Sequence, residues 1–210
     1  MSNTFTKDYT INIYDVDSNM NCKYSSLMNY LWDVVISQTD SLGETKHGLV
    51  HNCVWVLLKY DLKILEYPKF RDRITVETEA IGIKKLYGYR RCTIKNSVGK
   101  VILSGISTAM LIDIEKRRPA KISPEQLEIY GIQKELHEII PLDDFIKLEV
   151  PSITRAYTVR HSDIDSNNHV NNVKYIEMAV DTLPNELLDQ YKISDIKVLF
   201  NKEASEEIGR

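Results

Sequence analysis

The sequence has no apolar window that approaches the length of a membrane span, and its first ten residues lack a basic start followed by an apolar run. It therefore predicts neither a membrane-spanning helix nor a secretory leader. Its three cysteines, an odd number without paired spacing, favour a reduced cytoplasmic setting over a disulfide framework. The net charge of -3 gives no global attraction to nucleic acid, although local basic clusters could still meet an acidic partner.

One stretch of the sequence occurs twice. Residues 9–19 and 157–167 align at a constant offset of 148, with six of eleven positions identical. The same register continues into an apolar-periodic segment in each copy, 25–35 and 173–183. This pattern predicts a tandem duplication of a strand, a loop and a helix. A chain of 210 residues can bury one large core or two modest ones, which agrees with a duplication.

The two copies differ at positions where chemistry would take place. His169 and Asn171 of the second copy stand where the first copy has Asn21 and Lys23. We therefore expect the second copy to be equipped for a reaction and the first to have a structural or binding role.

The segment that follows the first helix predicts a sheet. The helix itself is expected to begin at about Ser25 or Ser26, either of which can cap it. Alternating apolar and polar residues then indicate long strands, and residues 96–99 are typical of a hairpin turn. One buried helix followed by long antiparallel strands predicts an α+β fold in which a curved sheet wraps around the helix. The four predicted strands are Val54–Leu65, Arg73–Ile81, Leu86–Lys95 and Lys100–Ile114.

A short helix and a linker separate the two copies. Ser123 is the expected N-cap of a helix over residues 123–130, with Gln126 completing a capping box. After a linker punctuated by proline, the second copy is expected to repeat the strand, the polar loop and a helix that Pro184 stops. Residues 196–200 predict one further strand.

The loop of the second copy is dense in polar side chains. Turn formation and helix capping would account for Asn171 and Asn172 but would leave His169 without a role. A calcium loop fails at its most diagnostic positions, because Asn168 replaces the glycine and Lys174 replaces the bidentate glutamate. Spacing alone does not exclude a transition-metal site, but no histidine or cysteine partner follows, so no metal is expected. The loop side chains are His161, Asp163, Asp165, Asn167, His169, Asn171 and Asn172.

The run DIDSNNHVNNVKYI, residues 163–176, resembles the signature of the acyl-acyl carrier protein thioesterases. From Asn167 onward the likeness is almost letter for letter. It extends to the organisation of the chain, because these enzymes carry two tandem hotdog domains with a degenerate first half. Asp113 together with residues 117–119 also resembles a family segment at the end of the first domain.

This resemblance implies four catalytic residues. The loop supplies Asp165, Asn167 and His169. Residues 200–204 match the later strand that supplies a catalytic glutamate in the family, which here is Glu203. Ala204 stands where plant members commonly have cysteine, so we expect no thiol nucleophile at that position.

The resemblance also implies a function. We expect a cytoplasmic thioester hydrolase that releases fatty acid from acyl carrier protein, with no cofactor and no metal. Residues 1–140 would form the first hotdog domain, with the bridging helix, a degenerate site and the acyl pocket, and residues 151–210 a partial second domain with the catalytic loop. Neither a nucleic-acid partner nor a membrane span is expected, and a homodimer is left open. The alternatives are a non-catalytic module that binds acyl groups or carrier protein, and a hotdog dehydratase.

The chemistry of a thioester suits these residues. A thioester is already activated, so hydrolysis needs an oriented water, a base and stabilisation of the oxyanion. Either Glu203 or His169 could deprotonate the water, a role worth about 10²–10⁴-fold. Backbone N–H groups in residues 170–172 could polarise the carbonyl. Asn167 would position water or substrate, and Asp165 would hold the loop.

Three further expectations concern the acyl pocket, the basic cluster and the completeness of the second sheet. The acyl chain is expected in the first domain, between its helix and its sheet. The cluster of Lys116, Arg117 and Arg118 either meets an acidic carrier protein or ties the bridging segment to the sheet. Because only residues 184–210 follow the second helix, the second sheet is expected to be incomplete, with Glu203 near a bare edge, poor activity and self-association. The candidate walls of the acyl pocket are Leu27, Leu31, Val34, Val56 and Leu58.

Overall fold

The computed structural model of the chain describes residues 4–43, 53–113, 115–132, 140, 150–166 and 168–200. The chain divides into two compact units. The first unit extends to Leu142 and also includes Ser194–Leu199, whereas the second runs from Asp143 to Ile193 and resumes at Phe200. The chain therefore leaves the first unit, forms part of the second, and returns to the first for one strand.

The first unit is an antiparallel sheet with a long helix. Its helices are α1 (Tyr24–Ser41) and α2 (Pro124–Ile129). Its strands are β1 (Thr4–Thr10), β2 (Cys53–Ile64), β3 (Arg73–Lys84), β4 (Tyr87–Asn96), β5 (Val101–Asp113), β6 (Arg118–Pro119) and β7 (Asp195–Leu199). Among the described residues the strand order is β1-β3-β4-β5-β2-β7, with β6 paired to the end of β5. All of these pairings are antiparallel.

One face of the sheet is covered by α1. Ile74 and Val76, two residues apart on β3, are fully buried, as are Leu27 and Leu31, four residues apart on α1. Successive side chains of a strand alternate between faces, and helix residues four apart share a face, so each pair projects from one side of its element. The helix packs against β3 and β1. The predicted α+β arrangement, a buried helix against four long antiparallel strands, is confirmed.

The connection between β4 and β5 is the predicted hairpin turn. The Asn96 N–H donates to the Lys100 carbonyl at 2.9 Å, and the Gly99 N–H donates to the Asn96 carbonyl at 2.9 Å. Gly99 has a φ of 80°, in the left-handed region that favours glycine. Turn residues read from sequence therefore fix the register of this hairpin locally.

The predicted capping box at α2 is also confirmed. The Ser123 hydroxyl accepts a hydrogen bond from the Gln126 N–H at 3.2 Å, and the Gln126 side-chain oxygen accepts one from the Ser123 N–H at 3.0 Å. Pro124 occupies the first helical position, where a missing N–H costs nothing. The box thus sets the N-terminus of the helix.

The pairing of β2 with β7 is internally symmetric. Residues 61–65 and 195–199 have similar sequences, DLKIL and DIKVL, at an offset of 134. Because Leu62 lies opposite Ile196, its own counterpart, the two strands are related by a local twofold axis at this pair. Each aspartate then faces the lysine of the other strand, which favours this register. The facing pairs are Asp61 with Lys197, Leu62 with Ile196 and Lys63 with Asp195.

The regular secondary structure in the described part of the second unit is helical. It contains α3 (Asn172–Val180) and α4 (Asn185–Gln190), preceded by a single 3-10 turn at His161–Asp163. Val173 and Ile176 on α3 are buried. The first copy has its own 3-10 turn at Ile13–Asp15, which is the same position after the offset of 148.

Four details differ from the sequence predictions. Helix α1 begins before Ser25, at Tyr24, and its N-cap residue is not a serine. Residues 151–160 form no strand, because no described strand pairs with them, whereas β1 is paired with β3 along its length. Helix α3 ends at Val180, before Pro184. Helix α4 was not predicted, because it is short and begins directly after a proline expected only to end a helix.

Gly105 on β5 provides a test of how closely β2 and β5 approach. A Cβ there would lie 2.0 Å from the Asp61 carbonyl oxygen, so Gly105→Ala should lower the free energy of unfolding by about 3 kcal/mol or more. Gly99→Ala is the matched control, since no atom lies within 4 Å of its added Cβ and only its positive φ opposes the change, at about 1 kcal/mol. Denaturant unfolding measures both, and equal losses would contradict the close approach.

Candidate active site

The polar loops of the two copies share their backbone hydrogen bonds. The Asp165 N–H donates to the His169 carbonyl at 2.8 Å, and the Asp17 N–H donates to the Asn21 carbonyl at 2.8 Å. Asn168, with a φ of 61°, occupies the same turn position as Met20 of the first copy, with a φ of 63°. One backbone frame therefore carries two different sets of side chains. The isolated bridges that close the loops also correspond, Ile164 with Val170 and Val16 with Cys22.

The helices that follow the loops begin at equivalent positions but are capped differently. The Asn171 side chain accepts a hydrogen bond from the Val173 N–H at 2.9 Å and so caps α3. Lys23, at the same position before α1, makes no side-chain cap and instead donates to the Tyr14 carbonyl. The capping role expected of Asn171 is confirmed, whereas Asn172 is the first residue of the helix.

Asp163 lies buried at the base of the second loop. Its side chain is fully shielded from solvent and accepts hydrogen bonds from Arg160 and from the Tyr157 hydroxyl. Burial alone would raise the pKa of the Asp163 carboxyl, but the hydrogen bonds from Arg160 outweigh it and hold the pKa below its ordinary value. Asp163 is therefore an ionised, internally bonded carboxylate. The sequence indicated only that it belonged to a polar loop.

Two of the four expected catalytic residues lie in this described loop. Asp165 and His169 are both half-buried and are joined by the backbone hydrogen bond that closes the turn. Asn167 and Glu203 lie outside the described residues. In the first copy, the Asp17 carboxylate accepts the N–H groups of the residues two and four positions later, both at 2.9 Å. Asp165 occupies the equivalent position.

The N–H groups at the start of α3 are not equally available. The Asn171 N–H already donates to the Asp163 carbonyl at 2.9 Å, so the expectation that it could polarise a substrate carbonyl is wrong. The position of Val170 is taken in the first copy by Cys22, whose N–H donates to the Pro68 carbonyl at 2.7 Å. The Asn172 N–H, at the first helical position, donates to no acceptor within the described ranges.

The basic cluster near the end of β5 is partly used within the fold. The Lys116 ammonium lies 2.8 Å from the Asp113 carboxylate, which also accepts the Lys116 N–H at 2.9 Å. These hydrogen bonds from Lys116 hold the pKa of the Asp113 carboxyl below its ordinary value. Arg118 belongs to β6 and pairs with β5, so the backbone here ties the bridging segment to the sheet. Arg117 is exposed, with a φ of 51°.

The expected walls of an acyl pocket fall into two groups. Leu27, Leu31 and Val34 are fully buried between α1 and the sheet. Val56 and Leu58 on β2 are half-buried. The first group, on α1, is thus part of the folding core, whereas the second group, on β2, retains accessible surface.

The described ranges hold neither a membrane-spanning helix nor a metal-binding cluster. Within them, no helix combines the length and apolar character needed to cross a membrane. The same ranges hold no group of three or more histidine, cysteine or acidic side chains arranged to bind a metal ion.

Comparison with known families gives two matches that together span most of the chain. The acyl-ACP thioesterase N-terminal domain matches residues 2–130, and the acyl-ACP thioesterase C-terminal domain matches residues 147–208. The chain belongs to the acyl-ACP thioesterase family. The sequence resemblance is confirmed by this match, and the hotdog fold is shown by solved structures of the same family.

Individual relatives have low sequence identity to this chain, but their alignments cover almost all of it. A palmitoyl-acyl carrier protein thioesterase of Gossypium hirsutum is 23% identical over 97% of this chain and 52% of its own length. An oleoyl-acyl carrier protein thioesterase of Arabidopsis thaliana is 24% identical over 97% of this chain and 61% of its own. Both are described as chloroplastic. The chain therefore spans between half and two thirds of the length of these curated relatives.

Solved structures agree in fold. A Lactobacillus plantarum protein described as an oleoyl thioesterase superposes with a TM-score of 0.91 at 26% identity, covering 97% of this chain and 80% of its own. The 12:0-ACP thioesterase from Umbellularia californica superposes with a TM-score of 0.81 at 21% identity, covering 99% of this chain and 85% of its own.

The cap of α3 can be tested by comparing the two copies. Asn171→Ala should lower the free energy of unfolding by about 1 kcal/mol, because the Val173 N–H loses its acceptor. Lys23→Ala at the equivalent position should change it by less than about 0.5 kcal/mol, because Lys23 provides no side-chain cap. Both values come from denaturant unfolding. A loss in the first-copy variant as large as that in the second would argue against a specific cap.

Proposed function

We propose that this chain hydrolyses the thioester that links a fatty acyl group to acyl carrier protein, releasing the free fatty acid and the carrier thiol. The observation that carries the proposal is the loop of the second copy. It holds Asp165 and His169 on the same backbone frame that presents Asp17 and Asn21 in the first copy. Membership of the acyl-ACP thioesterase family supplies the substrate class.

The proposed reaction is attack of water on the thioester carbonyl carbon. His169 or Glu203 takes a proton from the water as the C–O bond forms, and the tetrahedral oxyanion then collapses with cleavage of the C–S bond. The departing thiolate receives a proton, so the products are a carboxylic acid and a thiol. A general base of this kind contributes about 10²–10⁴-fold.

The oxyanion is assigned to the start of α3. The Asn172 N–H is at the first helical position, where backbone donors have no partner within the helix. The helix dipole adds a partial positive charge at this end. Loss of one preorganised donor to an oxyanion costs about 10²–10³-fold. Asn167 is assigned to orient the water or the substrate, and Asp165 to hold the loop as Asp17 does in the first copy.

The first copy supports a role for Glu203 beside His169. The symmetric strands β2 and β7 align at an offset of 134, and continuing this offset places Glu203 at the position of Lys69. Lys69 forms an antiparallel bridge with Asn21, the counterpart of His169. This correspondence in sequence supports Glu203, alongside His169, as a candidate base.

We assign the remaining properties on the same basis. The first hotdog domain comprises residues 1–140 together with β7, and the remainder of residues 151–210 belongs to the second. The setting is reduced and cytoplasmic, in keeping with three cysteines that form no disulfide. The exposed side chain of Arg117 and its neighbours contact the carrier protein. No cofactor or metal takes part.

The decisive measurement is the release of free thiol from acyl carrier protein loaded with acyl chains of defined length. His169→Ala should lower kcat by about 10²–10⁴-fold, because the loop loses its candidate base. Asn21→Ala, the matched change in the first copy, should leave kcat within about threefold, since that loop is assigned no chemical step. Circular dichroism shows that the compared samples are equally folded.

Glu203→Ala separates the enzyme from the alternatives. A loss of turnover with retained binding of carrier protein supports hydrolysis. Binding of acyl carrier protein by the parent chain without any thiol release would instead identify a non-catalytic binding module. Formation of an unsaturated acyl product from a hydroxyacyl carrier would identify a dehydratase.

Chain-length preference tests the pocket in the first domain. Val56→Phe and Leu58→Phe should shift the preferred acyl chain to shorter lengths without abolishing turnover, because these half-buried positions can take a larger ring. The ratio of kcat/KM for long and short acyl chains is the measurement. Val98→Phe at an exposed hairpin position is the control. An unchanged ratio in both β2 variants would place the pocket elsewhere.

A further inference from the structure

The base of the second loop contains a buried carboxylate that no catalytic assignment uses. Asp163 is outside the set of Asp165, Asn167, His169 and Glu203, yet its side chain is fully shielded from solvent. We propose that Asp163, held by Arg160 and Tyr157, is the positioning residue that fixes Asp165 and His169 for the reaction. This inference rests on the proposed function of the loop.

The carboxylate is held by donors from two residues. Its Oδ2 accepts the Arg160 backbone N–H at 2.9 Å, the Tyr157 hydroxyl at 3.1 Å and the Arg160 Nε at 3.2 Å. Its Oδ1 accepts the Arg160 Nη2 at 3.1 Å. The Arg160 Nη2 also donates to the Tyr157 hydroxyl at 2.8 Å, so the three side chains form one connected network.

The backbone of Asp163 connects both ends of the loop. Its N–H donates to the Arg160 carbonyl at 2.9 Å, which closes the 3-10 turn before the loop. Its carbonyl accepts the Asn171 N–H at 2.9 Å, which fixes the residue that caps α3. Asp165 and His169 lie between these two anchor points. A displacement of Asp163 would therefore move both candidate catalytic residues together.

The first copy has the same anchor without the positive charge. Asp15 accepts the Asn12 backbone N–H at 2.8 Å and the Tyr30 hydroxyl at 2.7 Å. Its carbonyl accepts the Lys23 N–H at 2.8 Å, as Asp163 does from Asn171. The buried carboxylate is thus common to both loops, whereas the guanidinium occurs in the copy that carries the histidine.

The tyrosine that donates to the buried carboxylate lies at a different repeat position in each copy. Tyr30 on α1 supplies the hydroxyl to Asp15, but Met178 stands at that position on α3 and has no hydroxyl. Tyr157 supplies the hydroxyl to Asp163 instead, whereas its counterpart Tyr9 bonds Asp33. The buried carboxylate of the second copy therefore also accepts a tyrosine hydroxyl, although from a different position. This is expected if leaving the carboxylate without a donor costs free energy of folding.

The guanidinium acts through hydrogen-bond geometry more than through charge alone. The Arg160 side chain is 63% exposed, so solvent screens its Coulombic attraction to Asp163. Its two nitrogens nevertheless meet the two carboxylate oxygens in a planar fork, which restricts the orientation of the carboxylate. Fixing the carboxylate in this orientation also restricts the backbone of Asp163.

The test compares Asp163→Asn with Asp15→Asn, the same change in the first copy. Asp163→Asn should lower kcat for acyl carrier protein hydrolysis by about 10²-fold with little change in KM, because a displacement of about 1 Å at a reacting group costs that much. Asp15→Asn should destabilise the fold but leave kcat within about threefold, since Asn21 is assigned no chemical step. Denaturant unfolding shows that both samples are folded during the assay.

A second measurement does not depend on activity. The His169 ring signal in the proton NMR spectrum, assigned by its loss in His169→Ala, should move in Asp163→Asn and stay in place in Asp15→Asn. If the parent chain hydrolyses no thioester, this signal still tests whether Asp163 positions His169. An unmoved His169 signal in folded Asp163→Asn, or equal kcat losses in the two variants, would overturn the proposal.

Arg160 variants cover the case in which Asp163→Asn does not fold. Arg160→Gln keeps the backbone N–H bond to Asp163 but removes the guanidinium fork, so it should lower kcat less than the aspartate change and move the His169 signal. Arg160→Lys restores the charge without the planar fork. If lysine restored kcat fully, charge alone would suffice and the geometric role of Arg160 would be wrong.

Discussion

A buried carboxylate must be supplied with hydrogen-bond donors, and in this protein that requirement organises both polar loops. Asp15 and Asp163 lie at the same repeat position, accept the same backbone N–H three residues earlier, and use their carbonyls to hold the residue before the following helix. Leaving such a group without donors would cost the full desolvation of the carboxylate. The loop backbone is therefore conserved between copies that otherwise differ.

Because the frame is the same, the differences between the loops are differences of side chain. Asn21 and Lys23 stand where His169 and Asn171 stand, and the first loop accordingly lacks both a histidine and a helix cap. The first loop is also held by the segment after β2, through the Pro68 carbonyl and the bridge from Lys69. The first loop thus has groups that bind the segment after β2, whereas the second has the groups to which we assign hydrolysis.

A local twofold axis relates β2 and β7 within the first unit. Leu62 faces its own counterpart, Ile196, and each aspartate faces a lysine of the other strand. Such a pairing is the isologous contact expected between two equal strands, here formed within one chain. It gives β2 a partner on the side away from β5 and so covers an edge that would otherwise be exposed.

The sequence by itself determined the features that depend on neighbours along the chain. The offset repeat, the alternation of the four long strands, the hairpin at Asn96 and the capping box at Ser123 could all be read locally, because propensity and periodicity act over a few residues. The family signature added Asp165 and His169 as candidate site residues.

Only the tertiary structure decided the features that depend on distant partners. Residues 151–160 have a strand-like sequence copied from β1 but are not a strand, because a strand requires a paired neighbour and the described residues provide none there. The placement of β7 beside β2 and the burial of Asp163 beneath its loop have the same origin. The periodicity of a sequence indicates which face of a helix or strand a residue occupies. The partner of that residue is set by the packing of segments far apart in the chain.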